Sequence, residues 1–210
     1  MRTGLTLLAA GLIAGAVSAQ GVITRMNTGN SHFYYDGNIQ AVLDEAFDEA
    51  GVDTILLGGG TYNLTTDILV SSPVVVIGTG IHPDSSLAYN INGRTEIDGG
   101  QFIEWFLEND ASGSEFHGIA FVNSVDVQFG TGPLESTDIN NVRFFRCEFQ
   151  GLGLGNGQFG SLANDTYIDE CIFRGGLSIS ESQGAIIRNS AIKQVYDVLN
   201  GNECLFENCI

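Results

Sequence analysis

Asp126 stands in an alternating run, Val125-Asp-Val-Gln-Phe129, which aims its carboxylate and the Gln128 amide off one face of a strand while the apolar residues face the other way. Leu177-Ser-Ile-Ser180 and Tyr196-Asp-Val-Leu199 read alike, so Ser178, Ser180 and Asp197 are expected to share that polar face as substrate-binding side chains. Carboxylate, amide and hydroxyl groups on one surface suit a ligand rich in hydroxyls. Hydrolysis of a glycosidic bond would need two carboxyls about 5–9.5 Å apart. Asp126 and Asp197 are three repeats apart, about 14 Å at the spacing of neighbouring strands, which is too far. Glu108 is the carboxylate expected beside Asp126. A β-eliminating lyase would instead need an arginine or lysine base. Arg174 and Lys193 hold equivalent places, each six residues past the start of its repeat at Ile168 and Ile187 (174−168 and 193−187). The catalytic candidates are therefore Arg174, Lys193, Glu108 and Asp126, with an exposed pair at a turn as the structural reading of the two cations.

Other charges read as structure. Asp169, Arg188 and Glu207 recur at one place on successive repeats with alternating sign, Arg146 and Glu170 do so at the next, and Asp98 is expected to pair with His117. His32 and His82 lie in loops with no nucleophile near them in sequence. Cys147, Cys171 and Cys209 share an inward column with Ser190. Parallel neighbours on that column suit stacked free thiols better than disulfides, and no Cys-x-x-Cys or Cys/His cluster suggests zinc. No metal site is expected. Ca²⁺ is the one ion that the acidic surface admits, although no D-x-D-x-D-G loop is present.

These side chains must be positioned by a repeat. Segments beginning at Ile55, Val75, Ile97, Phe116, Phe144, Ile168, Ile187 and Phe206 share one pattern at steps of 19 to 28 residues. Fixed-period self-similarity of strand-like pieces is the mark of stacked coils. The step of three between Phe144 and Cys147 breaks a strand's alternation and implies a two-residue bend. Its second residue is Gly99, Gly118, Arg146, Glu170, Asn189 or Asn208, and four of these tolerate positive φ readily. A third strand follows in each coil. The fold class expected is all-β, a right-handed parallel β-helix of about eight coils. Ile39, Val42, Leu43, Ala46 and Phe47 form one apolar stripe of a short helix near 38–50 that caps the front end, begun by Asp36 or Asn38 and ended by Gly51. Two insertions, Gly130 to Asn141 and Gly155 to Asp165, are expected to wall a groove edged by Gly153 and Phe159.

Arg2, the apolar run Leu5 to Ala16 and Val17-Ser-Ala19 read as a secretory leader over 1–19. A lead-in at 20–37 and one β-helix domain at 38–210 complete the organisation. Its last coil stops at Ile210, so further coils or a partner are expected to cover that end. Formal net charge is −17, from 25 acidic residues against 8 Lys plus Arg, which excludes nucleic acid as a partner. No later segment is apolar for long enough to span a bilayer.

The stretches Val52-Asp-Thr-Ile-Leu-Leu-Gly-Gly-Gly-Thr-Tyr62, Val74-Val-Val-Ile-Gly-Thr-Gly80 and Thr95-Glu-Ile-Asp-Gly99 resemble the opening coils of the pectin lyase-like superfamily. Gln183 to Ile192 and Asn202 to Ile210 resemble its generic repeats, and the resemblance covers 36–210. It implies a parallel β-helix and a role with extracellular polysaccharide, either binding or processing. The Asn-Thr-Asp, Asp-Asp, Gly-His-Gly and Arg-Ile-Lys motifs of its polygalacturonase-like enzymes are missing here, so it implies no catalytic set. A non-catalytic surface, adhesion or spacer module is the alternative.

Overall fold

The computed structural model describes residues 23–27, 30–34, 38–47, 53–81, 93–100, 103–130, 138–155, 162–196 and 203–210. The expected leader, the helix-end residues Asp36 and Gly51, and His82, Phe159 and Asp197 fall outside these residues. Strands dominate, with one α-helix, Ile39–Phe47. The chain returns again and again to the same three sheets, so sheet neighbours come from successive passes. In the first sheet Asp53–Leu57, Val74–Ile77, Glu115–His117, Arg143–Phe145, Tyr167–Asp169, Ile186–Arg188 and Leu205–Glu207 pair in parallel. The second sheet takes the next stretch of each pass. Ile119–Phe129, Glu148–Leu154 and Ile172–Ile179 run through it with a register shift in the middle, a local bend that keeps both halves paired. A small third sheet joins Asp138–Asn140, Leu162–Asn164 and Ser182–Gln183. The far ends of both insertions are strands, and 131–137 and 156–161 lie outside the described residues.

Inward columns run along the stack. Ile55, Val76, Phe116, Phe144, Ile168, Ile187 and Phe206 are register partners. In the second sheet Tyr62, Ile97, Phe121, Phe149, Phe173 and Ile192 form the matching column. Rings stack along it, with centroids 5.5 Å apart for Phe121–Phe149 and 5.2 Å for Phe149–Phe173, while Phe144 meets Phe149 edge-on at 5.3 Å. Two expectations change. Val76, not Val75, lies in the first column. The Ile97 segment belongs to the second sheet and contributes no rung to the first, so Gly99 is no member of the bend column.

The bends follow the expected rule. Gly118, Arg146, Glu170, Asn189 and Asn208 all have φ between 51° and 62°. Arg146 and Glu170 adopt this left-handed conformation although neither is glycine or asparagine. Their backbone N–H groups bond across to the Asp169 and Arg188 carbonyls of the next pass, which holds the bend in place. Cys171 Sγ accepts from Cys147 N at 3.4 Å, and Ser190 Oγ accepts from Cys171 N at 3.1 Å. This column closes bends as well as filling space. All four cysteines are free, with Cys147 and Cys171 buried.

The helix packs over the first passes through Ile39, Val42, Leu43 and Ala46. Asn38 Oδ1 caps it, accepting from Ala41 N at 3.1 Å. Gln40 then satisfies a strand edge: its Oε1 accepts from Leu69 N at 2.8 Å and its Nε2 donates to Leu69 O at 3.4 Å. A side-chain amide here replaces a missing neighbouring strand. The lead-in is more ordered than expected, since Ile23–Asn27 and Asn30–Tyr34 form a hairpin that adds antiparallel to Asp53–Leu57. Arg25 on that hairpin is fully buried and pairs with Asp53 at 3.0 Å. No helix among the described residues is long and apolar enough to cross a membrane.

Candidate functional site

The outward side of the second sheet's second half carries two adjacent columns. In one, Asp67 precedes Ile68, whose partner is Trp105; Glu104 and Asp126 are register partners; and Asp126 is followed by Gly151 and Gly176. In the other stand Leu69, Phe106, Gln128, Gly153, Ser178 and Tyr196. Alternation forces this arrangement, because Trp105, Val127, Leu152 and Leu177 are buried beneath. The structure therefore brings Asp126, Gln128 and Ser178 onto one face. Ser180 joins them through Ser178, with the two hydroxyls 3.1 Å apart.

The carboxylate beside Asp126 is Glu104. Glu108 lies four residues further on, past the strand end at Leu107, with its N–H bonded to Val70 O at 2.9 Å. Glu104 was readable as the only polar residue of Ile103-Glu-Trp-Phe-Leu107 on the outward phase. Its backbone N–H bonds to Asp67 Oδ1 at 3.1 Å, and Gln128 Nε2 donates to its Oε1 at 3.0 Å. Burial, then the negative charges of Asp67 and Asp126, push the Glu104 carboxyl above the ordinary range. Burial alone pushes Asp126 up. Neighbouring parallel strands lie roughly 4.8 Å apart, so two carboxyls with raised proton affinity sit on consecutive rungs.

Glycines on this surface make room for the side chains of neighbouring rungs. A side chain on Gly151 would collide with the Asp126 carboxylate, and one on Gly176 with the Tyr196 ring. Because Gly151 and Gly176 are register partners, Asp126 and Tyr196 lie over adjacent rungs. Tyr196 is 44% exposed and pairs with Ser178, whereas the expected alignment set it with Leu177 on the apolar face; the register is one residue off. An aromatic ring, two carboxyls, an amide and a hydroxyl pair on one surface can stack on and hydrogen-bond a sugar ring.

Arg174 and Lys193 follow the register partners Phe173 and Ile192, as expected, but Arg174 is engaged elsewhere. Its Nε donates to Glu148 Oε1 at 3.1 Å and its Nη2 to Oε2 at 3.4 Å, and Arg94 meets the same nearly buried carboxylate at 3.5 Å. That hydrogen-bonded carboxylate raises the guanidinium's proton affinity, which opposes action as a base. Lys193 is exposed. His117 does not pair with Asp98. It lies 3.2 Å from Glu115 and stacks on Phe145, while Asp98 accepts from Asn123 at 2.8 Å. Asp169 and Arg188 pair at 2.9 Å as the ladder predicts. Among the described residues no group of three or more His, Cys, Asp or Glu side chains is arranged to hold a metal ion.

No protein-family model matches the chain, and no curated protein matches it. Among solved structures, a candidate glycosyl hydrolase from Parabacteroides merdae aligns over 82% of this chain and 86% of its own, at 13% identity and a TM-score of 0.37. At that level the similarity carries no inference about activity.

Proposed function

We propose that this is a secreted, right-handed parallel β-helix protein of the pectin lyase-like kind that binds extracellular polysaccharide and hydrolyses it at the Glu104–Asp126 face. The observation that carries this reading is the pair of carboxyls on consecutive rungs, both with raised proton affinity, on the same face as the Tyr196 ring, which lies over Gly176. Glu104, pushed up by burial and then by two neighbouring negative charges, is the group assigned as general acid. Asp126 supplies the carboxylate that attacks or stabilises the sugar cation. A neutral glycan suits the site, since a chain of net charge −17 repels polyanionic sugars unless Ca²⁺ bridges them. The test is a panel of neutral and acidic polysaccharides, with and without Ca²⁺, read for new reducing ends and for unsaturated products. Reducing ends from a neutral glycan support hydrolysis; unsaturated products would point to Lys193 and a lyase instead.

A non-catalytic module, binding glycan or acting as a rigid spacer, is the second reading. It is favoured by the hydrogen bonds that Gln128 and the Glu104 amide already make, which suit a fixed surface. Glycan binding without turnover would select it.

A further inference from the structure

At the corner between the first and second sheets lies a hollow of about 400 Å³, bordered by Ile77, Ile81, His117, Gly118, Arg146 and Glu170. It is separate from the carboxylate face. The corner's backbone asks for Gly or Asn at the bend, and Gly118, Asn189 and Asn208 comply. Arg146 and Glu170, with φ of 51° and 55°, take a left-handed conformation that is unfavourable for an ordinary side chain. The backbone bonds that hold the bend are the same whichever residue is there, so the fold gains nothing from these two side chains.

Their charges are also unspent. Arg25, Arg94, Arg143, Arg174 and Arg188 each pair with a carboxylate. The Arg146 guanidinium and the Glu170 carboxylate have no hydrogen bond or ion pair among the described residues, although they stand at equivalent places on consecutive rungs. Both of the bend column's strained side chains border the one hollow, beside a histidine held fixed by Glu115 and Phe145.

We propose that this hollow binds a small zwitterion, with its carboxylate on Arg146, its ammonium group on Glu170 and an apolar tail against Ile77 and Ile81. Opposite charges on side chains from consecutive rungs, both bordering one hollow, match the two ends of an α-amino acid. The overall charge decides against a simple anion: at −17 the protein repels any net negative ligand, whereas a zwitterion carries no net charge.

Calorimetric titration of the intact protein with L-leucine, isovalerate and isoamylamine tests this, together with the variants Arg146→Asn and Glu170→Asn. Leucine should bind saturably, and the two singly charged relatives at least about tenfold more weakly. Each variant should lose about tenfold or more in leucine affinity while keeping or raising its melting temperature, because asparagine tolerates the left-handed bend. No saturable binding of leucine, an unchanged affinity in either variant, or a lowered melting temperature in both would overturn the proposal.

Discussion

Glu104 and Asp126 are register partners on adjacent parallel strands, and Gln128, two residues past Asp126, donates to the Glu104 carboxylate at 3.0 Å. Two carboxyls are thereby held on consecutive rungs with their backbones fixed by the sheet. Because both have raised proton affinity, the folded protein binds their protons more tightly than the unfolded chain does. Their contribution to stability is present when they are protonated and is lost as pH rises from about 4 through their folded titration range. Glu104→Gln and Asp126→Asn should therefore raise the melting temperature at pH 7 by about 1–4 °C and flatten its fall above pH 4. Melting curves from pH 4 to 8 check this; lower melting temperatures at pH 7 in both variants would contradict it.

Asp169 gives the opposite sign. Its hydrogen bond from Arg188 holds its carboxyl below the ordinary range, so its contribution is present above about pH 4 and lost as pH falls through the folded value. Arg188 is 43% exposed, so Arg188→Gln should lower stability only slightly, and the loss should shrink in high salt. Denaturant melts at two salt concentrations measure it.

The stacked column predicts a larger effect. Phe149 contacts Phe121, Phe173 and Phe144, so Phe149→Ala should cost about 3–5 kcal/mol. Gly175→Ala should also be costly, about 1–3 kcal/mol or more, because the new methyl would collide with the Gln150 carbonyl. Gly176→Ala meets only the movable Tyr196 ring, so it should disturb glycan binding more than stability. Chemical denaturation of the three variants ranks them.

How much of this was readable follows from particular residues. The column Phe116, Phe144, Ile168 and Ile187 could be read because each sits between polar residues that fix the phase, and the left-handed bends came with it. Val74-Val-Val-Ile77 has no polar residue to set the alternation, so its register slipped by one. Thr95-Glu-Ile-Asp98 ends in two glycines like a bend, and only pairing with Gly60–Asn63 reveals that it belongs to the second sheet. The outward phase of Glu104 was readable locally, but its place beside Asp126 required the pairing of Trp105 with Val127, a long-range fact that no local pattern states. His117 with Glu115 was available from the two-residue period of a strand. Tyr196 became visible only through the glycine beneath it.

Thiol chemistry offers an independent check on the bends. Cys147 and Cys171 are buried, and burial pushes the Cys171 thiol up, so both should resist a thiol reagent until the protein unfolds. Cys204 and Cys209 are partly exposed and should react first. Intact-mass analysis of the native protein should show four thiols and a two-phase labelling curve, while a disulfide would contradict the stacked column.

The most direct measurement of the central claim is turnover of a neutral polysaccharide by the wild-type protein, Glu104→Gln and Asp126→Asn, read as new reducing ends. The carboxyl-pair account predicts release by the wild type, a loss of at least about 10²-fold in each variant, and retained glycan binding in at least one of them. Full turnover in both variants, or neither turnover nor binding by the wild type on any polysaccharide, would contradict it.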